Sequence, residues 1–275
     1  MKRTLNLLSI ILLLTFISAC GAHSDETTPE MAQNMLKLRG FHFTEPEFFR
    51  AIKLNDGISV KGFLQGGINP NAKNELGETA LTFALQYAES PSIKLLVEKS
   101  DINLRDDLGN SPIHLALKTK KDDIFELLLQ KNADVNVPGR VDSTTKDQTI
   151  LYVAVARGDE ELVKRLLDLG ADPNIADSSG SLPLVEAVVD SDASPNIVKM
   201  LLEKGAKVNE TEKENGASAL IFVSQNKLIS SEKRKEIVKL LLEKGSDKSI
   251  KEKEGKTALD WAKEKGNAET VELLK

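Results

Sequence analysis

Gly77-Glu78-Thr79-Ala80-Leu81-Thr82-Phe83-Ala84 has five counterparts further along the chain. Measured from the Thr-like residue, successive segments are 32, 38, 33, 36 and 39 residues apart. Self-similarity at such a spacing indicates one supersecondary unit that is stacked several times. The six segments are Glu78-Thr79-Ala80-Leu81, Ser111-Pro112-Ile113-His114, Thr149-Ile150-Leu151, Leu182-Pro183-Leu184, Ser218-Ala219-Leu220 and Thr257-Ala258-Leu259.

The residues around each segment recur in register. Five residues after the Thr-like position stand Ala84, Ala116, Ala154, Ala187, Val223 and Ala262. Two residues before it stand Gly77, Gly109, Gly180, Gly216 and Gly255, with Asp147 as the exception. A hydroxyl at the Thr-like position can accept from free backbone N–H groups at a helix start, and a small alanine lets a second helix approach closely. Each segment therefore predicts the start of a first helix.

A second helix follows each first one. Its apolar residues recur with helical spacing, as in Glu161 to Leu167, Asn196 to Leu202 and Glu236 to Leu242. Next come residues that tolerate a left-handed helix end, namely Gly67, Asn132, Gly170, Gly205 and Gly245. Turn formers follow, namely Asn69-Pro70-Asn71, Asp101-Ile102-Asn103, Asp134-Val135-Asn136 and Asp172-Pro173-Asn174.

From about Phe43 to Lys275 this pattern resembles the ankyrin repeat, whose sequence reads G-x-T-P-L-H-x-A, a turn, and E-x-V-x-x-L-L-x-x-G-A-D-V-N. The resemblance implies an all-α solenoid over residues 41–275, with about seven helix-turn-helix units and short extended finger loops. The first unit, around Phe48-Phe49-Arg50-Ala51, lacks the first part of this pattern. Leu259-Asp260-Trp261-Ala262-Lys263 resembles a closing repeat.

Three insertions interrupt the regular spacing. Val137 to Asp147 lengthens the finger before Thr149, whereas Asp190 to Pro195 and Gln225 to Lys235 are expected between the two helices of their repeats. Insertions can form part of a binding face, but they also collect at exposed turns without any function. Both interpretations stay open for each of the three.

The N-terminus has the features of an export signal. Lys2 and Arg3 precede an almost wholly apolar segment from Leu5 to Ala19, which is too short to span a membrane comfortably. Ile17-Ser18-Ala19-Cys20 resembles the lipobox of bacterial lipoproteins, which implies a signal peptide over 1–19, a lipidated Cys20 and a polar tether over 20–40 that becomes helical toward Met35-Leu36. The alternatives are an ordinary cleaved signal with a chance cysteine, or an uncleaved anchor.

Cleavage before Cys20 would remove Lys2 and Arg3 and no acid, so the net charge would change from −5 to −7. The resemblance implies a lipid-anchored protein of the bacterial cell envelope that faces the periplasm. By analogy with enterobacterial lipoproteins, Gly21 in place of a retention aspartate favours the outer membrane over the inner. An internal start at Met31 or Met35 would instead make an unanchored form.

The sequence predicts no catalytic, cofactor-binding or metal-binding residues. Of three histidines, His23 lies in the tether, His42 precedes the first unit, and His114 occupies the histidine of the ankyrin pattern, which usually braces adjacent loops. No H-E-x-x-H, paired-cysteine, phosphate-loop or G-x-S-x-G motif is present. The negative net charge argues against a nucleic-acid partner. We therefore predict a non-enzyme that binds a protein and touches the membrane through its lipid alone.

Most ankyrin partners meet the finger tips and the exposed face of the first helices. Mapped onto this chain, the resemblance implies partner contacts at Glu75, Glu78, Gln86, Tyr87, Asp107, Asn110, Lys118, Thr119, Gln148, Arg157, Ser178, Ser181, Asp190, Glu214, Gln225 and Asn226. Tyr87 and Arg157 rank highest because Tyr and Arg are enriched among binding hot spots. Any one of these residues could equally be plain exposed surface. Both charge signs occur, so no strongly charged partner is implied, and we expect a monomer when unbound.

Two functions remain open. The first is an immunity protein that neutralises a toxin or effector enzyme in the envelope, because ankyrin lipoproteins resembling this one are immunity partners of secreted phospholipase effectors. The second is a periplasmic scaffold or stress-protection protein that binds resident envelope proteins. An enzyme or small-ligand binder is disfavoured by the missing site chemistry. Repeat architecture indicates the mode of action and not the partner.

Overall fold

The computed structural model describes residues 27–140, 147–191 and 193–275. The expected signal peptide, the lipidation residue Cys20, His23 and the first part of the tether lie outside the described residues. So does most of the extended finger predicted from Val137 to Asp147. No helix in the part that is described is both long and apolar enough to cross a bilayer.

The described part of the chain contains fifteen helices. They are α1 (Pro29–Leu38), α2 (Glu45–Lys53), α3 (Gly57–Gln65), α4 (Ala80–Tyr87), α5 (Ser90–Lys99), α6 (Pro112–Lys118), α7 (Asp122–Gln130), α8 (Ile150–Ala156), α9 (Glu160–Asp168), α10 (Pro183–Glu186), α11 (Pro195–Glu203), α12 (Ala219–Gln225), α13 (Ser231–Glu243), α14 (Ala258–Lys265) and α15 (Ala268–Leu274). After α1, the other fourteen form seven consecutive pairs. The prediction of an all-α array of about seven helix-turn-helix units is confirmed.

Each pair packs on its neighbours to form one continuous core from Leu36 to Leu274. The alanines of the first helices are fully buried where the sequence pattern places them, as at Ala84, Ala116, Ala154 and Ala262. The second helices supply leucine, isoleucine and valine to the same core, for example Leu241, which is 0% exposed. Apolar burial of this kind is the dominant favourable contribution to folding.

The helix starts differ in how their first turn is satisfied. Thr79, Thr149 and Thr257 accept hydrogen bonds from the backbone N–H three residues later, as predicted for a capping hydroxyl. Ser111 and Ser218 do not, and the prediction is wrong for them: the Ser111 hydroxyl is bonded to His114, and that of Ser218 caps no backbone N–H within the described residues.

An asparagine ladder joins consecutive fingers. Each of its members accepts, through Oδ1, a backbone N–H of the following finger at 2.8 to 2.9 Å. The members are Asn71, Asn103, Asn136, Asn174 and Asn209. Within the fingers, Asp101, Asp134 and Asp172 close the expected Asx turns with the residue two positions on. The fingers are therefore held both internally and to each other.

Two segments differ from the sequence interpretation. The tether was predicted to become helical only toward Met35-Leu36, but α1 already begins at Pro29. Its Leu36 is buried against α3, and a Cβ added at Gly62 of α3 would lie 3.3 Å from Leu36 Cδ2. The insertion from Gln225 to Lys235 does not lie wholly between helices, because α13 already begins at Ser231. The insertion from Asp190 to Pro195 lies between α10 and α11 as expected, with Asp192 outside the described residues.

Arg234 holds the loop between α12 and α13 from its buried side. This side chain is 7% exposed, and its guanidinium donates to the carbonyl oxygens of Asn226 (2.8 Å) and Ile229 (2.6 Å). Arg234 lies in the first turn of α13, so its side chain reaches the buried side of the loop. The insertion is thus a tied turn with a cationic anchor.

Candidate partner-binding surface

The fingers and the exposed sides of the first helices form one surface, which we call the finger–helix surface. Residues at these two places contact each other directly: Gln86 Nε2 of α4 donates to Glu78 Oε1 of the finger at 2.8 Å. At the other end of the array, Lys256 Nζ of the last finger lies 4.1 Å from the centroid of the Trp261 ring on α14. A partner that reaches one element therefore also reaches the other.

The N-terminal end of this surface carries an aromatic row. The rings of Phe49 and Phe83 meet edge to face with centroids 5.3 Å apart, and those of Phe83 and Tyr87 are 4.6 Å apart. Phe49 is buried, Phe83 is half-buried and Tyr87 is 53% exposed. Rings in such contact are mutually stabilising, so the row presents Tyr87 in a fixed position.

Two leucines at the neighbouring finger tips extend the aromatic row. Leu76 is 69% exposed and Leu108 is 50% exposed. Their fingers are joined, because the backbone N–H of Asp107 donates to the Gly77 carbonyl at 3.0 Å. Leu76 also lines a groove of about 520 Å³ together with Phe49, which links the tips to the ring row. We call Leu76, Phe83, Tyr87 and Leu108 the apolar patch.

Charged side chains surround the apolar patch. Glu45, Lys73 and Glu75 line the same groove, and Lys73 forms an ion pair with Asp107 of the next finger. An apolar centre with a polar rim is the arrangement found in protein–protein interfaces. Exposed aromatic and leucine side chains that are already ordered lose little entropy on binding. This end of the array is therefore suited to receive an apolar side chain of another protein.

The predicted contact residues of the first full repeat are not all available. Glu75, Gln86 and Tyr87 are exposed on the finger–helix surface. Glu78 is 3% exposed, and its carboxylate accepts from Asn74 Nδ2 (2.7 Å) and from Gln86. The expectation for Glu78 is corrected: two amide donors hold the carboxylate inward, so it braces the finger against α4.

In the next repeat only some candidates have no partner among the contacts described. Lys118 is exposed, whereas Asp107 is exposed but forms an ion pair with Lys73. The Asn110 side-chain amide donates to Asp106 Oδ2 at 2.9 Å, and the Thr119 hydroxyl donates to the Leu115 carbonyl at 2.7 Å. The side chains of Asn110 and Thr119 are therefore engaged within their own finger and helix.

In the middle of the array the structure brings two candidates together. Arg157 and Asp190 are both exposed and line one shallow pocket of about 70 Å³ with Glu186. The guanidinium of Arg157 makes no ion pair with any residue that the structure describes. Gln148 is half-buried, and its backbone pairs with Gly139 at the base of the long finger.

The C-terminal candidates are divided in the same way. Ser178 and Glu214 are exposed at finger tips, while Ser181 and Gln225 are half-buried. Asn226 is engaged: its Nδ2 donates to the carbonyls of Val188 and Val189 at 3.2 and 2.7 Å. Asn226 thus ties the loop after α12 to the preceding repeat.

His114 links one repeat to the next, as the resemblance implied. The Gln148 carbonyl accepts from His114 Nε2 at 2.7 Å, so Nδ1 is the nitrogen that accepts from the Ser111 hydroxyl at 2.6 Å. The ring is fully buried, and desolvation lowers its pKa to about 4. Neutral His114 is a structural bridge with no open path to a substrate.

Several residues of this surface were missed by sequence reasoning. Leu76 and Leu108 stand at the same finger position, three residues before Thr79 and Ser111, where later repeats have Ser179, Asn215 and Glu254. Phe83 and Trp261 occupy equivalent positions on α4 and α14. Comparing finger tips between repeats would have revealed the two leucines, since only they are apolar among those five.

Chemistry other than binding has little support in the geometry. No group of three or more His, Cys, Asp or Glu side chains converges as metal ligands among the described residues. The Tyr152 hydroxyl donates to Glu186 Oε2 at 2.7 Å, and burial is the main cause of the raised pKa of Tyr152. A phenol whose pKa is raised is a poor nucleophile at neutral pH.

Comparison with known proteins gives the same architecture. A family model described as "Ankyrin repeats (3 copies)" matches residues 48–139, 138–212 and 195–275. Over 157 residues the chain is 32% identical to neurogenic locus notch homolog protein 1 of Danio rerio, which covers 56% of this chain and 6% of that protein. It is 29% identical over 157 residues to the nuclear factor NF-kappa-B p105 subunit of Gallus gallus, covering 54% of this chain and 15% of that protein. These similarities concern the repeats, because the chain spans a small part of either relative.

Proposed function

Because the chain belongs to the ankyrin-repeat family, we propose that it binds one protein partner through the finger–helix surface and catalyses no reaction. The apolar patch carries this proposal. Tyr87, Leu76 and Leu108 are exposed beside charged side chains, and Tyr87, which packs on Phe83, is of a residue type enriched among binding hot spots. Arg157, exposed and without an ion-pair partner among the described residues, adds a second anchor further along the surface.

The partner that we propose is a secreted, phospholipase-type toxin, which makes the protein an immunity protein of the bacterial envelope. Support comes from the resemblance to ankyrin lipoproteins with that role and from the signal-like N-terminus ending at Cys20. An inhibitor of a membrane-attacking enzyme acts best where its target acts, and a lipid anchor would hold it there. Inhibition then needs only occlusion of the toxin, for which a fixed apolar patch is sufficient.

The anchor is a separate part of the proposal with its own test. Two or three acyl chains on Cys20 bury enough methylene groups for stable attachment to a membrane. Cells that express the chain are fed an alkyne-bearing palmitate and then fractionated. We expect label and protein together in the membrane fraction, with outer exceeding inner membrane, and we expect Cys20→Ser to abolish both. An unlabelled chain that is secreted or soluble would refute the anchor and leave the binding surface untouched.

The inhibitory function is tested with the chain in which residues 1–20 are replaced by a tag. This chain is used to purify partners from lysate of its own organism, and a co-purifying protein is assayed for release of fatty acid from phospholipid vesicles. We expect inhibition that is complete at one equivalent. Tyr87→Ala combined with Leu108→Ala should weaken inhibition at least tenfold, because the double substitution removes two of the three most exposed side chains of the patch.

A matched control is Leu169→Ala. Leu169 is 48% exposed, as Leu108 is 50% exposed, but it lies at the end of the second helix α9, beside the turn of residues 134–136 and outside the apolar patch. All three substitutions affect exposed side chains and should leave the fold intact, although Tyr87→Ala also loses the ring contact with Phe83, worth about 0.5–1.5 kcal/mol. Equal inhibition by the patch variant and the control would refute the assigned surface. Recovery of resident envelope proteins alone, with no lipolytic protein, would refute the immunity role and leave a scaffold.

A further inference from the structure

Helix α1 presents an apolar side to solvent. Met31, Met35 and Leu38 are 57, 43 and 74% exposed. Their spacing of four and three residues places them on one side of the helix. The other side carries Ala32 and Leu36, which are 1% exposed and pack against α3. Exposed apolar side chains in such a group usually mark a contact with something else.

The rest of the N-terminal unit contributes two more exposed apolar side chains. Leu54 is 62% exposed and Ile58 is 61% exposed. They lie on either side of Asp56, whose carboxylate forms a bidentate pair with Arg39 just after α1. Gln33 Nε2 also donates to the Gly66 carbonyl at 3.1 Å. These bonds fix α1 to α3, so its apolar side is presented in one orientation.

The length of chain before α1 limits where this side can be. Pro29 is nine positions after Cys20, with eight residues between them. A fully extended chain advances at most about 3.3–3.6 Å per residue, so the start of α1 lies within about 30 Å of a lipid held by Cys20. This step rests on the anchor proposed above.

We propose that Met31, Met35 and Leu38 contact the surface of the phospholipid membrane that holds the lipidated Cys20. The N-terminal unit then lies on the membrane, and its attachment has a protein contact in addition to the acyl chains. Apolar side chains of an amphipathic helix bind in this way at the boundary between head groups and acyl chains.

The distribution of charge favours this end of the array for a membrane contact. Residues 20–66 carry five basic and six acidic side chains, a net charge of −1, whereas residues 67–275 carry 30 basic and 36 acidic ones, a net charge of −6. Lys37, Lys53 and Lys61 of the N-terminal unit are exposed. Anionic head groups attract these lysines and repel the more acidic remainder of the array. Electrostatics therefore favours the same orientation as the anchor, with the N-terminal unit next to the membrane.

The experiment uses the full lipidated chain in vesicles of phosphatidylethanolamine and phosphatidylglycerol. Once Cys20 is acylated the chain has no other cysteine, so Met35→Cys provides a single thiol for an environment-sensitive nitrobenzoxadiazole label. The control is Leu169→Cys, whose parent side chain is exposed to a similar extent, 48% against 43%. Quenching is measured with a phospholipid that carries a nitroxide just below its head group.

We expect several-fold stronger quenching and a blue-shifted emission for the label at position 35. Equal quenching at the two positions, with both proteins floating with the vesicles, overturns the membrane contact while the anchor stands. Chains that do not float overturn the anchor and this contact together, but the inhibition assay with the tagged soluble chain still tests the partner-binding surface independently.

A second variant separates the membrane from other occupants. A label at Ile58→Cys should be quenched in the otherwise unchanged chain and lose most of that quenching when Met31→Ser, Met35→Ser and Leu38→Ser are combined. The three parent side chains are exposed, so the variant should fold. If sedimentation in detergent instead finds a dimer that the triple variant converts to a monomer, the apolar side belongs to a second copy, and the proposal is overturned.

Discussion

Replacing His114 with glutamine should make the stability of the array less dependent on pH between about 6.5 and 4. The buried imidazole is held neutral by desolvation, with its pKa lowered to about 4. In the unfolded chain the ring is expected to titrate near 6.5. Between these values the unfolded state binds the extra proton, so stability is full above pH 6.5 and is lost as the pH falls toward 4.

The size of the effect follows from the two pKa values. At pH 5.5 the unfolded state gains roughly 1–2 kcal/mol from protonation of this one ring, and at pH 4.5 roughly 2–3 kcal/mol. Glutamine offers an amide in place of the imidazole but has no proton to gain. At pH 7.5 His114→Gln should cost about 1–3 kcal/mol, because it disturbs the bonds to Ser111 and Gln148 in a buried site.

Urea unfolding of both proteins at pH 7.5, 5.5 and 4.5, followed by circular dichroism, measures the difference. Carboxyl groups also titrate in the lower part of this range, but they are common to both proteins and cancel in the comparison. The disadvantage of His114→Gln should shrink by roughly 2–3 kcal/mol from pH 7.5 to 4.5. A difference that stays constant over this range would refute the assignment of a neutral, desolvated His114 in the folded state.

Three further predictions concern the contacts that hold repeats and loops. Gly139→Ala should destabilise the array by roughly 1–3 kcal/mol in thermal melts, because the new Cβ would lie 2.5 Å from His114 Nδ1; an unchanged melting temperature would contradict this contact. Arg234→Met should cost about 1.5–3 kcal/mol and speed amide exchange in the loop before α13, whereas Lys235→Met next to it, being exposed, should change neither. Asn136→Ala should cost about 1–2 kcal/mol by urea titration, since one rung of the ladder and a bond to the Gly170 carbonyl disappear, and a neutral result would show that water replaces the rung.

The repeats themselves could be predicted because their signals are local. A hydroxyl, a small residue and a left-handed glycine at fixed offsets each determine their own turn of chain, whatever surrounds them. Gly170 and Gly245 indeed adopt φ of 88° and 85°, and the non-glycine Asn132 adopts 57°. Left-handed backbone of this kind is favourable for glycine and tolerated by asparagine.

The N-terminal boundary could not be predicted in the same way. Leu36 reads as part of a polar segment, and its burial depends on Gly62 of a different helix, while Gly66 just after that helix leaves room for Phe43. A Cβ at Gly66 would lie 2.6 Å from Phe43 Cε2, so small residues at both positions are needed for the close approach. Tertiary complementarity of this type leaves no periodic signal in either segment.

The binding surface was predicted in position but not in chemistry. An exposed leucine says little by itself, since more than half of a protein's surface is apolar. Leu76 and Leu108 form a patch only because the Gly77–Asp107 hydrogen bond brings their tips together. Glu78 shows the converse. A glutamate is expected to be exposed to solvent, but the side-chain amides of Asn74 and Gln86, which only the structure brings close, hold its carboxylate inward.

The asparagine ladder makes the repeats interchangeable. Every coupling uses the same pair of groups, an asparagine Oδ1 and the N–H at the start of the next turn. Deleting residues 104–136 would bring Asn103 against Asp172, and the new joint would have the chemistry of the old one. Gain or loss of whole units by gene recombination would therefore leave no mismatched joint in the ladder, which favours adjustment of the length of the array to the size of its partner.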